Sequence, residues 1–141
     1  MTLMRVDMYS IGHGYGFCME ESGPRVFFRV EDFDGRGGVL PIPGEPVEVQ
    51  NLLPSEGRSP RASAVRRLHV PTAALGTVLS FDVEKGWGFV ECGGVTYFLH
   101  RSDLLEKFVP VVGSTLSFYP GIRRNKPRAC YVKQTGTVGG V

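Results

Sequence analysis

The chain contains the same pattern twice, and this repeat limits the folds that are open to it. Four blocks of the first half return in the second half in the same order, at offsets of 72, 71, 69 and 67 residues. The paired blocks begin at Val6 and Val78, Arg25 and Thr96, Pro43 and Val112, and Pro60 and Pro127. Four matches in one order indicate an internal duplication, so the 141 residues are predicted to form two similar units.

Each copy is predicted to contain five short strands. The apolar runs are rich in β-branched and aromatic residues, are bounded by glycine or charged residues, and lack helical spacing. With 19 glycines and 10 prolines, the composition favours an all-β protein with many turns. The predicted strands are Met4–Tyr9, Gly14–Glu20, Arg25–Arg29, Pro46–Leu52, Ala62–Leu68, Gly76–Asp82, Gly86–Glu91, Thr96–His100, Thr115–Tyr119 and Arg128–Lys133. This pattern is compatible with an OB-type barrel or an SH3-like barrel.

The second copy carries a predicted aromatic hairpin. The runs Lys85–Val90 and Thr96–His100 flank the turn residues Cys92–Gly94, so we predict that they pair as antiparallel strands. Because side chains alternate between the two faces of a strand, three rings and an imidazole would share one face. We call these side chains the second-unit platform: Trp87, Phe89, Phe98 and His100.

The first copy has a smaller set of rings at matching positions, and we call it the first-unit platform: Tyr15, Phe17 and Phe27. Exposed rings can stack on nucleic-acid bases, since every base has a π-face. The competing interpretation is that the rings are barrel core. In the second copy the opposite face, with Val90, Tyr97 and Leu99, already suits a core. In the first copy both interpretations stay open.

The net charge of +2 is unevenly divided along the chain. Residues 1–70 hold eight arginines and nine acidic residues, whereas residues 71–141 hold eight basic and five acidic residues, giving net charges of −1 and +3. A basic cluster, Arg123–Arg128, lies before the last strand and at its start. Such a cluster is most often a solvated loop, but beside an aromatic platform it suits contacts with phosphates.

Three motifs of the second copy occur together and in order. Gly76–Phe81 has the pattern Gly-x-Val-x-x-Phe, Lys85–Val90 has Lys-Gly-aromatic-Gly-Phe-aliphatic, and Tyr97–His100 is followed by Ser102. Over residues 76–134 the chain thereby resembles the cold-shock domain, a five-stranded OB-fold that binds single-stranded nucleic acid. The resemblance implies two cold-shock-like OB barrels in tandem: a diverged copy in 1–69, a short linker in 70–75, the better-matched copy in 76–134 and a flexible tail in 135–141.

The chain also departs from the family's pattern. The first copy has His13 in place of the motif lysine and Arg29 in place of the motif histidine. Both copies lack the tryptophan usual in the family's first strand, with Met8 and Ser80 at that position. Each missing tryptophan removes a surface on which a base could stack.

The resemblance and the basic cluster together predict a set of nucleic-acid contacts. In the second copy they are Lys85, Trp87, Phe89, Phe98, His100, Arg101, Arg124, Lys126 and Arg128, and in the first copy Tyr15, Phe17, Phe27 and Arg29. The rings and the imidazole would stack on bases while the cations contact phosphates. Arg29 is suited to stacking through its guanidinium plane, or to pairing with Glu31 or Asp32.

Other classes of function receive little support. The sequence has no run of about 18 apolar residues that would form a transmembrane helix. Cys18, Cys92 and Cys130 form no CxxC pair, and with three histidines a metal site is not expected. No nucleophile pattern, paired carboxylates or Walker-type loop is present. We therefore expect no enzyme activity and no cofactor, and a reduced, cytosolic setting.

The sequence thus predicts a protein that binds single-stranded RNA or DNA with little sequence preference, as an RNA chaperone or a regulator of transcription or translation. The alternative is a protein-binding adaptor that docks on RNA polymerase or the ribosome. The low net charge, the missing tryptophans and the replacement of the motif histidine by Arg29 favour this alternative.

Overall fold

Ten strands close into two five-stranded barrels over the residues that the structure, a computed structural model, describes: 2–20, 23–54 and 59–135. The first barrel contains β1 Thr2–Ser10, β2 Tyr15–Met19, β3 Val26–Arg29, β4 Pro46–Leu53 and β5 Arg61–Arg67. The second contains β6 Ala74–Asp82, β7 Trp87–Cys92, β8 Val95–His100, β9 Thr115–Arg123 and β10 Lys126–Gln134. Short 3-10 turns follow β3 at Val30–Asp32 and Arg36–Gly38, and follow β8 at Arg101–Asp103. The chain divides into two compact units, Met1–Pro71 and Thr72–Val141.

Both barrels have the same strand order. In the first, β1 pairs with β2 and β4, β2 pairs with β3, and β5 closes the barrel between β3 and β4. In the second, β6 pairs with β7 and β9, β7 pairs with β8, and β10 closes the barrel in the same way. A five-stranded Greek-key barrel is the architecture of the OB fold. The predicted all-β tandem of OB-type barrels is confirmed.

The repeat extends to the register of the strands. Phe17 lies opposite Phe27 in the first barrel, and Phe89 lies opposite Phe98 in the second. The parallel seam that closes each barrel is also repeated, since Phe27 bridges Arg61 and Phe98 bridges Arg128. The duplication that the sequence predicts is therefore present in the hydrogen-bonded pairing.

Each barrel has a core of its own, built from the inward-facing side chains of its strands. Val90 and Leu99 are fully buried in the second core, and Tyr97 packs there with its ring centroid 5.1 Å from that of Phe118. These are the positions predicted to face the core. Phe28 has the same role in the first barrel, where it is fully buried. Each fully buried Leu or Phe side chain contributes about 1.5–3 kcal/mol through its removal from water.

The second position of each Gly-aromatic-Gly-Phe run requires glycine for steric reasons. A Cβ at Gly88 would lie 2.0 Å from the backbone oxygen of Ser80, and a Cβ at Gly16 would lie 2.4 Å from that of Met8. Only glycine allows the two paired strands to approach this closely. The motif glycines therefore fix the distance between the first two strands of each barrel.

Every strand has at least one bound that differs from the sequence prediction, and two of these differences change the predicted linker and the predicted loop before the last strand. β6 begins at Ala74, within the predicted linker, because Ala74 and Leu75 pair with β9. β9 continues to Arg123, and Arg124 and Asn125 form a two-residue turn with φ of 53° and 63°. The predicted loop before the last strand is therefore a tight two-residue hairpin turn, in which both residues adopt the left-handed backbone conformation.

At the C-terminal end, the hydroxyl of Thr135 donates a hydrogen bond to the Thr115 oxygen over 3.0 Å. The rest of the predicted tail, 136–141, lies outside the described residues. Within the described part of the chain, no helix has the length and apolar character needed to cross a membrane.

Candidate nucleic-acid interface

The second-unit platform is assembled by the β7–β8 hairpin. Gly93 and Gly94 form its two-residue turn with positive φ, and this turn sets the register that places Phe89 opposite Phe98 and Trp87 opposite His100. The ring centroid of Phe98 lies 6.0 Å from that of Trp87, 5.9 Å from that of Phe89 and 6.1 Å from that of His100. The four predicted side chains form one continuous set with Phe98 at its centre.

The platform lies outside the buried core of its barrel. Trp87 is 37% exposed, and Phe89, Phe98 and His100 are half-buried. The core beneath them is formed by other side chains, among them Leu99 and Phe118. The platform rings therefore keep part of their surface available for contacts with a flat ligand.

A groove of about 820 Å³ joins the rings to the basic cluster. We call it the basic groove, and its lining residues are Trp87, Phe89, Thr96, Phe98, Arg123, Arg124, Lys126, Pro127 and Arg128. The β9–β10 hairpin brings the cations there, because its tight turn carries Arg124 at the tip between Arg123 and Lys126. Six of the predicted contacts thus share one depression.

Arg128 differs from the other cations of the basic groove because it is held by an ion pair. Its Nε lies 2.9 Å from Oδ2 of Asp103, and both side chains are mostly buried. Its guanidinium carbon is 5.7 Å from the ring centroid of Phe98. Burial raises the pKa of the Asp103 carboxyl above its ordinary value, although the charge and hydrogen bond of Arg128 act in the opposite direction. Arg128 therefore offers the groove a fixed planar group whose charge is partly neutralised.

Three predicted contacts do not line the basic groove: His100, which belongs to the platform, and Lys85 and Arg101 in the segments that flank its strands. Lys85 is exposed in the turn between β6 and β7, and its backbone amide donates to Oδ1 of Asp82 over 3.0 Å. Arg101 lies against that turn, since its amide donates to the Gly86 oxygen and a Cβ on Gly86 would be 2.6 Å from its Nε.

The ring of His100 is oriented by the residues that follow it. The backbone amide of Ser102 donates to Nδ1 of His100 over 3.0 Å, and the Ser102 hydroxyl lies 2.8 Å from the same nitrogen. Because Nδ1 accepts that hydrogen bond, the neutral imidazole carries its proton on Nε2. His100 can therefore donate a hydrogen bond from Nε2.

The first-unit platform is also present. The ring centroid of Phe27 lies 5.5 Å from that of Tyr15 and 5.8 Å from that of Phe17. A groove of about 450 Å³ adjoins part of this set, and its lining residues are His13, Gly14, Tyr15, Phe27, Arg29, Val30 and Glu31. The three rings that the sequence groups are adjacent, but the groove beside them is smaller than the basic groove.

Arg29 is exposed in the first unit, with its guanidinium carbon 5.9 Å from the ring centroid of Phe27. Its backbone amide, rather than its side chain, donates to Oδ2 of Asp32 over 3.0 Å. The Asp32 carboxylate is engaged by the guanidinium of Arg61 at 3.2 Å. The pairing of the Arg29 side chain with Asp32 is therefore not observed, and stacking of its guanidinium on a base stays a prediction.

Phe17 has a neighbour that sequence reasoning missed. The guanidinium carbon of Arg25 lies over its ring at 4.1 Å from the centroid. Nη2 of Arg25 in turn lies 3.1 Å from Oδ2 of Asp7. The repeat contained the signal for this contact, because Arg25 occupies the position that Thr96 holds in the second copy.

Other groups of the second unit were also missed. Thr96 and Pro127 line the basic groove, and Asp103 positions Arg128. The pair Asp103 and Arg128 has a counterpart in Asp32 and Arg61 of the first unit. A comparison of the two copies would have identified the repeated aspartate and arginine, whereas nothing local marks Thr96 or Pro127. Within the described ranges, no group of three or more His, Cys, Asp or Glu side chains is placed to hold a metal ion.

Residues 87–90 of the motif Lys85–Val90 and the motif Tyr97–His100 lie on adjacent strands of a closed OB-type barrel, with a diverged copy of the same arrangement in the first unit. The chain has the fold of two five-stranded OB-type barrels in tandem. No family model and no curated protein matches the chain. Among solved structures it is similar to one described as drosophila Unr CSD456, at 18% sequence identity and a TM-score of 0.44. The match covers 96% of this chain and 61% of that chain, so this chain spans about three fifths of its length.

Proposed function

We propose that this protein binds single-stranded nucleic acid, RNA or DNA, in the basic groove and with little sequence preference. The observation that carries the proposal is that one groove joins three aromatic rings to four cationic side chains. Rings alone would suit many apolar ligands, and cations alone would suit any polyanion. A polymer that alternates flat bases with phosphates suits both together.

The two kinds of contact contribute differently to binding. Stacking of one base on an exposed ring contributes about 1–3 kcal/mol and is tolerant of sequence. Contacts of Arg124 and Lys126 with phosphates displace counterions, so they strengthen binding at low salt and fade as salt increases. We infer that Trp87 and Phe98 hold bases while the β9–β10 turn follows the sugar–phosphate backbone.

The proposed action is competition with base pairing. A base that is stacked on the second-unit platform is unavailable to a complementary strand, so the bound segment is kept unpaired. This action fits an RNA chaperone, or a regulator of transcription or translation that acts by opening a structured RNA.

Fluorescence from Trp87, the single tryptophan of the chain, provides the test. We expect poly-dT or poly-U to quench its emission at low salt, with an affinity that falls as salt is raised. Oligonucleotides of graded length should show saturation at about 4–16 nucleotides, the range for one OB fold. Unchanged emission with every oligonucleotide at low salt would rule out the proposal.

A specific feature favours the second candidate, a protein-binding adaptor that docks on RNA polymerase or the ribosome. Large apolar side chains between β8 and β9 are exposed, with Val109, Val111 and Val112 at 56%, 63% and 64%. Exposed apolar patches are typical of protein interaction sites. Capture of either partner from lysate, before and after nuclease treatment, separates the two candidates. Capture that survives nuclease, by a chain that binds no oligonucleotide, would favour the adaptor.

A further inference from the structure

One pair of corresponding rings, Phe17 in the first unit and Phe89 in the second, differs in what covers it. The guanidinium carbon of Arg25 lies over the ring of Phe17, 4.1 Å from its centroid. Nη2 of the same guanidinium lies 3.1 Å from Oδ2 of Asp7, so the ion pair favours this position of the side chain. The aromatic face of Phe17 is therefore covered by a side chain of the protein itself.

The second unit has uncharged residues at both of the corresponding positions. Asp7 corresponds to Leu79, and both are the residues at which the register shifts between the first two strands of their barrels. Arg25 corresponds to Thr96, which lines the basic groove together with Phe89. The covered ring and the open ring are thus related by two substitutions between the repeats.

The grooves beside the two platforms agree with this difference. The basic groove of the second unit is lined by all three of its platform rings. The groove of the first unit is lined by Tyr15 and Phe27 but not by Phe17, whose ring is in contact with Arg25. Glu31 also lines the first-unit groove, and its carboxylate would repel a phosphate.

We propose that Arg25, held by Asp7, is an intramolecular competitor of nucleic-acid bases for Phe17, so that the chain binds a single strand asymmetrically through its second unit. A base can stack on Phe17 only after the cation–π contact and the ion pair are both broken. This inference rests on the proposed function, because it concerns which of the two platforms that function uses.

The direct test gives the first unit the two residues of the second. The double substitution D7L/R25T leaves the net charge unchanged, so a gain in affinity cannot come from added positive charge. It is introduced into the full chain with W87A/F98A, which removes two rings of the second-unit platform. Binding of a fluorescein-labelled oligo-dT of about eight nucleotides is followed by anisotropy. We expect D7L/R25T to tighten binding about tenfold, as one added stacking contact would.

A matched control is available in the same unit. Glu48 and Arg66 form an ion pair on the β4–β5 hairpin, so E48L/R66T makes the same kind of change without touching an aromatic ring. We expect it to leave oligonucleotide affinity unchanged. A loss of affinity with D7L/R25T, or an equal change with the control, would overturn the inference, because Arg25 would then be a ligand contact or an indifferent surface charge.

The reciprocal exchange, L79D/T96R in the otherwise unchanged chain, should cover Phe89 and weaken the Trp87-detected binding about tenfold. Unaltered affinity would count against the inference while leaving the proposed function intact. The two proposals also fail separately in the other direction. A wild-type chain that binds no oligonucleotide contradicts the proposed function and, with it, binding through the second unit. Binding gained only with D7L/R25T would still support competition by Arg25 for the ring of Phe17.

Discussion

Phe98 connects the aromatic and the cationic parts of the candidate interface. It contacts Trp87, Phe89 and His100 on the hairpin side, and the guanidinium of Arg128 lies 5.7 Å from its centroid on the other. Its strand is joined to Arg128 by the parallel bridge that closes the barrel. The same backbone contact therefore closes the fold and brings a cation to the platform.

The contributions of the rings and of the cations of the basic groove to oligonucleotide binding should differ in their dependence on salt concentration. W87A should weaken oligonucleotide binding by about 1–3 kcal/mol and leave the salt dependence unchanged, because a stacking contact releases no counterions. K126Q should reduce the slope of log affinity against log salt by about 0.7, the contribution of one phosphate contact with a single strand. Titrations at several salt concentrations measure both quantities.

Lys107 offers the control, since it is exposed and lines a different cavity. K107Q should change neither the stacking contribution nor the salt slope. Equal slopes for K126Q and the wild-type chain would show that the β9–β10 turn does not follow the phosphates.

Two of the three cysteines should be protected in the folded chain. Burial raises the pKa of the Cys18 thiol to about 12 and that of the Cys130 thiol to about 12, whereas Cys92 is half-buried near the end of β7. A thiol-specific reagent at about pH 8 should modify Cys92 first, because the thiolate is the reactive form. Three thiols reacting at one rate in the folded chain would contradict this prediction.

The same raised pKa values imply a loss of stability at high pH. The folded chain keeps the thiol protons of Cys18 and Cys130 that the unfolded chain releases from about pH 9. The contribution of these two protonated thiols to the free energy of unfolding should therefore be complete below about pH 9 and be lost as the pH rises toward about 12. Urea unfolding at several alkaline pH values measures this effect.

At the scale of structural elements, the segment between β3 and β4 depends on a buried arginine. The side chain of Arg67 is fully buried, and its Nε and Nη2 each lie 2.7 Å from a carboxylate oxygen of Glu45. Its remaining N–H groups donate to the backbone oxygens of Arg36, Val39 and Leu40 at 2.7–2.9 Å. All five donors are satisfied, so one side chain fixes a long irregular segment to the end of β5.

Substitution of this arginine should destabilise the first unit. R67M leaves the Glu45 carboxylate partly buried without its partner and three carbonyls without donors, and removal of one member of a buried pair costs about 3–5 kcal/mol. Calorimetry of the full chain should show a lowered transition. R66M provides the comparison, because Arg66 is exposed and its pair with Glu48 should contribute at most about 1 kcal/mol. Equal effects of R67M and R66M would show that the buried network is not needed for stability.

At the scale of the whole molecule, the two copies have diverged in charge as well as in their platforms. The first half carries a net charge of −1 and the second +3, and the groove that combines rings with four cations lies in the second unit. After the duplication, the second barrel has the charge and the groove that suit a polyanion. The first barrel has the same fold but a net negative charge and a smaller groove.

This asymmetry predicts the stoichiometry of binding. At chain concentrations well above the dissociation constant, a short oligo-dT should saturate the wild-type chain at one strand per chain. Isothermal titration calorimetry measures the ratio directly. Two equivalent strands per chain would show that both units bind and would contradict the asymmetry.

The sequence alone was enough to predict the ten strands, the duplication and the antiparallel pairing of the aromatic hairpin. These features are local: side chains alternate with a period of two, and Gly93 and Gly94 fix where the hairpin turns. The prediction that Val90 and Leu99 face the core, and that Trp87 faces away from it, follows from the same alternation.

The tertiary structure decided which side chains meet across the barrels. Arg128 and Asp103 are 25 residues apart, Arg67 and Glu45 are 22 apart, and each pair forms only when the barrel is closed. The cover on Phe17 likewise depends on the pairing that places Arg25 beside Asp7. The sequence therefore determined two similar barrels with an aromatic face on each, because strand patterns are local. Closure of the barrels decided that one face is open and basic while the other is partly occupied, because contacts between distant strands arise only in the folded chain.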